Sequence, residues 1–512
     1  MSRTSSNSKK YIKTYLWQGI ALVLRFLSLF IVVPFLSSEP KIYGIYSVCI
    51  SVLIFLNYAD LGFLVSSIKY ATESYANGNR KEEMKYIGFG TFVLLTFSLI
   101  ISGIFLYYSF YPQRIVEGLD TVELKRISSS LMLILAIFTP LIVLQRTVTI
   151  IFNIRMQGYI NKIISIVSSI ITITSTFFFF SEGKYYIIEY FLFFQTMNFL
   201  STIVMFYLAN RKYNYDLIKL FSEIRFNKEI FNKSKKLAYS SFIAMISWVL
   251  FYELDKVAIG RFIGVDKVAI FSISIIFATL FRSIFSIVFN PFNVRANYYV
   301  GNNDEVGLKN FIKNILILTA PLTVLPAVGI AVVSESLIIS WVGEDYIESI
   351  AMARIFALLF CFSFVTYSAS AYIVSKEKVK EMYYMSISMP IIYWVGVYLG
   401  YPYFDMIAFP TFKFFTILIS VGYYIIFLMK NLSLPISFFI KRIFLKLSLP
   451  LATLILLLSF FGKFMPLDKS KLNFIIVIST TGFVILLSLL IQYFTSKDIR
   501  KIVLSIYKDI SK

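Results

Sequence analysis

Long apolar stretches separated by short polar connections run through the whole chain, and charged residues are scattered inside them. A membrane-spanning helix needs about 20 mostly apolar residues, and about fourteen stretches reach that length. They cover roughly 11–36, 42–67, 86–110, 128–151, 160–181, 185–209, 237–262, 267–294, 310–333, 351–375, 381–401, 404–429, 443–463 and 472–494. The least marked division falls at 400–406, around Pro402 and Asp405. The expected fold is therefore an all-α polytopic membrane protein.

The connections alternate in charge. Lys and Arg gather at the N-terminus (Arg3, Lys9, Lys10, Lys13) and in the second connection (Lys69, Arg80, Lys81, Lys85). The polar segment 211–236 is the richest, with Arg211, Lys212, Lys219, Arg225, Lys228, Lys233, Lys235 and Lys236. Lys376, Lys378, Lys380, Lys430, Lys441, Arg442, Lys446 and the tail residues Lys497, Arg500, Lys501, Lys508 and Lys512 fall on the same side. One connection on the other side carries Glu335, Glu344, Asp345 and Glu348 without a Lys or Arg. Basic connections stay cytoplasmic. Fourteen spans with both termini cytoplasmic satisfy this alternation throughout.

A faint repeat organises the spans. Gly44-Ile45-Tyr46-Ser47 at the start of the second span aligns with Ala269-Ile270-Phe271-Ser272 at the start of the eighth, an offset of about 225 residues. Six spans separate the copies, which suggests a parallel repeat of two six-span lobes, a common transporter plan. The expected organisation is an N-terminal lobe over 1–210, a basic cytoplasmic linker over 211–236 and a C-terminal lobe over 237–430. The last part, 431–512, carries two extra C-terminal helices and a basic tail.

Composition narrows the function. The chain is 58% hydrophobic and 15% charged, with no polar segment large enough for a separate soluble core. The net charge of +21 reflects the basic connections and gives no reason to expect nucleic acid. The sequence contains no histidine, which removes His-based metal sites, general bases and proton relays. Cys49 and Cys361 lie in apolar runs and form no CxxC motif. No Gly-x-x-x-x-Gly-Lys-Ser/Thr phosphate loop is present, so the chain is not read as an ATPase. No cofactor is expected, and no nucleophile motif points to an enzyme. The first apolar run lacks a small-residue cleavage pattern and is read as an uncleaved span.

The charges inside the spans carry the functional argument, because an ionised group in hydrocarbon is costly and usually faces a cavity. Six cations (Arg25, Arg146, Lys256, Arg282, Arg354 and Lys413) stand against four acids (Asp60, Glu189, Glu253 and Asp255). An excess of buried cations suits an anionic substrate, and the arginine fork suits phosphate. Arg25 and Arg282 lie mid-span. Arg146 and Arg354 lie nearer span ends, where snorkelling competes with substrate contact. For Lys413, a cavity role and a structural ion pair are equal readings. Asp60 at the end of the second span can pair with Lys69. Glu253 and Lys256, three apart, can form a local ion pair, or with Asp255 couple or gate transport through a carboxylate that exchanges its proton. Pro34, Pro140, Pro291, Pro321 and Pro326 fall in or at the ends of spans, where they can kink a helix.

Several of these segments resemble a known family. They are Asp60-Leu-Gly62 with Lys69-Tyr-Ala-Thr-Glu73 and Asn77-Gly78-Asn79, and Tyr252-Glu-Leu-Asp255-Lys-Val-Ala-Ile-Gly260 with Gly264. Val268-Ala-Ile-Phe-Ser272 and Asn290-Pro291 complete the set. The chain resembles the polysaccharide-exporter branch of the multidrug/oligosaccharidyl-lipid/polysaccharide (MOP) exporter superfamily, most closely the Wzx-type O-antigen flippases. The resemblance implies two six-helix lobes around a central cavity plus two extra helices. It implies transfer of an undecaprenyl-diphosphate-linked oligosaccharide from the cytoplasmic to the outer leaflet of the bacterial inner membrane. Cationic cavity residues are a family feature, which Arg25, Arg146, Arg282, Arg354 and Lys413 could supply. Asp60, Glu253, Asp255 and Lys256 are the expected ion-coupling or gating residues, with H+ or Na+ as the ion. The polymerase and chain-length proteins of the pathway are the implied protein partners. A lipid II flippase and a drug or small-molecule antiporter are the alternatives. A membrane glycan polymerase or ligase is disfavoured by the short external connections.

Overall fold

The structure is a computed structural model that describes residues 2–55, 62–155, 157–181, 184–376 and 378–510. The described elements are helical, α1 to α20 in chain order. The first unit contains α1 (Ser2–Leu36), α2 (Pro40–Phe55), α3 (Phe63–Ala76), α4 (Arg80–Phe110), α5 (Val122–Asn153), α6 (Tyr159–Phe179) and α7 (Ile187–Tyr213). It continues with α8 (Leu217–Ser222), α9 (Lys228–Tyr252) and α10 (Asp255–Phe262). Then come α11 (Val265–Gly301), α12 (Glu305–Val342), α13 (Ser349–Leu358), α14 (Ser363–Ser375), α15 (Val379–Phe404) and α16 (Ala408–Leu432). The chain ends with α17 (Ile436–Phe438), α18 (Leu445–Gly462), α19 (Lys471–Thr495) and α20 (Lys497–Ile510).

Eleven helical stretches among the described residues are long and apolar enough to cross a membrane. One of them, Tyr383–Leu432, contains both α15 and α16, which part at Asp405 where φ is 46°. Two shorter apolar helices, Pro40–Leu53 and Ser241–Tyr252, lie where the second and seventh spans are predicted. The protein is an all-helical polytopic membrane protein, as its apolar periodicity requires. Helix ends follow local chemistry. The Asn79 side chain accepts from the Glu82 amide at the start of α4, Thr121 from Leu124 at α5, and Asp304 from Gly307 at α12.

Two predicted spans are not continuous helices, which corrects the sequence reading. The predicted span 42–67 is interrupted at Gly62, which precedes α3, and Asp60 lies outside the described residues. Gly62 has φ +78°, and a Cβ there would lie 2.3 Å from the Ala238 carbonyl oxygen. Only glycine allows both that conformation and the close approach of α9. The seventh span breaks between Tyr252 and Asp255 into α9 and α10. Span length alone did not show either break, although α3 and α10 are more polar than the helices before them.

Contacts divide the chain into two compact units, Met1–Ala269 and Ile270–Lys512. The boundary falls inside α11, not in the polar segment 211–236. The reason is visible in α9. Its Ser234 carbonyl accepts from Ser66 of α3, its Lys233 carbonyl from Tyr70, and its Lys233 ammonium reaches the Tyr86 hydroxyl of α4 at 2.7 Å. Helices α2 and α11 begin at Pro40 and Val265, the same 225-residue offset as the sequence match. In the first unit the backbone of Gly44 approaches that of Val265 so closely that a Cβ would lie 2.0 Å from the Val265 oxygen.

Candidate functional site

The structure spreads the sequence-predicted charges over both units. In the first unit, Arg25 lies exposed on α1, seven residues from Gln18 and so on the same helix face. Arg146 is half-buried on α5. Near it Gln145, Gln195, Asn198 and Thr202 form a polar seam of α5 and α7 around a cavity of about 10 Å³, room for a single water. Glu189 is exposed in the first turn of α7, where a carboxylate complements the helix dipole.

The Glu253, Asp255 and Lys256 cluster sits at the break between α9 and α10. Glu253 caps α9 through its amide on the Val249 carbonyl, and Asp255 opens α10. Asp255 is 1% exposed, whereas Glu253 and Lys256 are half-buried. The segment beyond is held by backbone bonds from Glu117 to the Gly260 carbonyl (2.9 Å) and from Val265 to the Glu117 carbonyl (3.3 Å).

In the second unit, Arg282 is half-buried on α11. Arg354 of α13 forms an exposed ion pair with Glu335 of α12 at 3.2 Å. Lys413 of α16 is only 2% exposed, and its ammonium lies 4.7 Å from the centre of the Tyr393 ring of α15. In this conformation the Lys413 charge is enclosed by protein and does not open onto a surface. Among the described residues no group of His, Cys, Asp or Glu is placed to hold a metal ion.

The most organised polar site is one that sequence reasoning missed. Arg155, just after α5, is buried and donates through Nη2 to both oxygens of Glu83 in the first turn of α4, at 2.8 and 3.2 Å. Its Nη1 donates to the Ile151 carbonyl at 2.9 Å. The rings of Tyr75, Tyr213 and Tyr215 stand 4.7, 5.1 and 5.1 Å from the guanidinium. Arg80 stacks over Tyr215 at 5.1 Å and donates to the Tyr213 carbonyl. The Tyr213 hydroxyl donates to Gln157 at 2.8 Å. Burial, reinforced by the Glu83 carboxylate, pushes the Tyr215 hydroxyl well above the usual tyrosine range, so it stays protonated. An open cavity of about 280 Å³ lies beside the cluster, lined by Tyr75, Gly78, Arg80, Glu83, Arg155 and Tyr213. The cluster ties together the ends of α3, α4, α5 and α7. The sequence signal for it was weak, because Arg155 falls just past the predicted span 128–151 and its partner lies 72 positions earlier.

No family model matches the sequence, and no curated protein matches it. Solved structures do. The lipid II flippase MurJ, in an inward closed conformation, superposes with a TM-score of 0.65 at 17% identity, over 94% of this chain and 98% of MurJ. Transporters of the MOP superfamily share this fold as well. An inward-facing multidrug resistance MATE transporter of that superfamily matches at a TM-score of 0.60 and 12% identity, over 80% of this chain and 95% of the transporter. A MOP superfamily transporter from Pyrococcus furiosus, described by a reverse polarity of its binding pocket, matches at 0.56 and 11%, over 84% and 97%. These likenesses extend along the chain and agree with the all-helical, multi-pass architecture.

Proposed function

We propose that this protein is a flippase that moves a polyprenyl-diphosphate-linked saccharide across the membrane. The observation that carries the proposal is the near-complete structural likeness to the lipid II flippase MurJ, which spans 98% of that chain. The excess of in-span cations over acids supports it, because a diphosphate loses its hydration in the bilayer and needs charge-assisted bonds in return. The lipid tail stays in the bilayer while the charged head follows a polar path. Arg25 in the first unit and Arg282 in the second are the cations assigned first to the diphosphate, and Arg146, Arg354 and Lys413 follow.

Two substrates fit this chemistry. Lipid II is favoured by the likeness to MurJ. An undecaprenyl-diphosphate-linked repeat unit of a surface polysaccharide is favoured by the resemblance of the sequence segments to Wzx-type flippases. With no ATP-binding loop in the sequence, a proton or sodium gradient drives the cycle in this proposal, through Asp60, Glu253 or Asp255 with Lys256 as the neighbouring charge.

Reconstituted protein given labelled lipid II, or a labelled diphosphate-linked repeat unit, separates the two substrates by which one reaches the opposite leaflet. Arg25→Ala and Arg282→Ala should each slow that transfer by an order of magnitude or so, the loss of one charge-assisted contact. Full activity in both variants overturns the cationic assignment. Transfer that ignores both gradients overturns the coupling.

A further inference from the structure

The last helix, α20, is unlike the others. It follows the apolar helix α19 after a single extended residue, Ser496, whose φ and ψ are −101° and 105°. Ser496 starts α20 by accepting from the Ile499 amide, and Arg500 returns a hydrogen bond to the Phe494 carbonyl in the last turn of α19. α20 therefore begins one residue after the end of an apolar helix long enough to cross a membrane.

Its sequence fits that place. Ile499, Ile502 and Val503 fall at helical spacing on one face. Lys497 and Lys501 fall on the opposite face, with Arg500 at the flank. Ile499 is buried against the bundle; on its face Val503 is 36% exposed, and Leu504, between the basic residues, is 47% exposed. The three basic side chains Lys497, Arg500 and Lys501 are exposed. The segment before α18 adds to this surface. Arg442 reaches Asp498 at 3.8 Å, which brings the basic Lys441, Arg442 and Lys446 to the start of α20. Ile436, Ile440 and Phe444 of that segment are also exposed.

We infer that α20 and the 436–446 segment form one docking surface for the anionic phospholipids of the leaflet in which they lie. The basic residues meet the headgroups and the exposed apolar residues enter the acyl boundary. Charge complementarity favours lipid over a soluble partner, as does direct continuity with α18 and α19. An apolar face bordered by cations is the pattern of a helix lying in a charged interface.

The test uses the full-length protein in nanodiscs. Cys49 and Cys361 are buried, so a Val503→Cys variant takes a polarity-sensitive fluorophore selectively. Nanodiscs of phosphatidylcholine are compared with nanodiscs that also contain phosphatidylglycerol. In the anionic discs the emission should shift to the blue and the iodide quenching constant should fall roughly twofold or more. At about 1 M salt, where the screening length is ~3 Å, the difference should vanish. The combined variant K497Q/R500Q/K501Q should abolish it at low salt. Equal emission and quenching in the two lipids overturns the proposal and leaves a protein partner as the occupant. A difference that survives both high salt and the charge-removing variant overturns it too. The salt series on Val503→Cys alone decides the matter should the combined variant fail to fold. None of these readings depends on transport.

Discussion

Two arginine–carboxylate pairs in this protein have the same chemistry and opposite surroundings. Arg155 and Glu83, in the first unit, have side chains 5% and 1% exposed. Arg354 and Glu335, in the second, are 46% and 54% exposed at a similar separation. The buried pair has two carboxylate contacts, a backbone acceptor and three tyrosine rings around one guanidinium. The exposed pair is joined by the hydrogen bond from Arg354 Nη2 to Glu335 Oε2 at 3.2 Å. Desolvation explains the difference. A charge removed from solvent must have its hydrogen bonds and its field replaced by protein, whereas an exposed charge keeps its solvation and gains little from its partner.

Removing one member of the buried pair should have the largest effect. Glu83→Gln or Arg155→Leu leaves an uncompensated charge or an unmet acceptor and should destabilise the purified protein by about 3–5 kcal/mol. Thermal unfolding in detergent measures it. Replacing both residues together with apolar ones should recover much of the loss, since no lone charge is then left behind. Opening the ring box is next. Tyr215→Leu removes one desolvated cation–π face and should cost about 2 kcal/mol. A cost near zero would show that the rings only fill space.

A pH effect sharpens the same contrast. The Tyr215 hydroxyl is raised in the folded protein, so its contribution is present below the ordinary tyrosine value near about 10 and is lost as pH climbs above it. The unfolded chain ionises first and is favoured there. The wild type should therefore lose more melting temperature than Tyr215→Phe between neutral pH and pH values above about 10. The smallest effect belongs to the exposed pair. Arg354→Ala or Glu335→Ala should change stability by about 1 kcal/mol or less. A large loss of transport with unchanged stability in Arg354→Ala would instead mark Arg354 as a substrate contact.

Much of the fold was legible from the chain alone. Span length and apolarity suffice for a membrane helix because the bilayer imposes one thickness on every crossing. The weak division at Pro402 and Asp405 is a real junction of two helices. The breaks at Gly62 and at Glu253 were not legible. The break at Gly62 depends on a neighbouring helix, as the Ala238 carbonyl against it shows. The candidate site divides in the same way. Charges inside long apolar runs stand out in a sequence, so Arg25, Arg282 and Lys413 became candidates. Arg155 and Glu83 sit at helix ends, where charge is ordinary, and only their meeting across 72 positions gives them significance.

The sequence by itself determined the class of protein, its apolar helical spans and the excess of cations within them, because these follow from local apolarity and from the bilayer's intolerance of unpaired polar groups. Only the tertiary structure decided which helices are interrupted, where the chain divides into its two units and which charges are enclosed. Those outcomes depend on the side chain or carbonyl that arrives from a distant segment, and no local pattern of residues encodes that arrival.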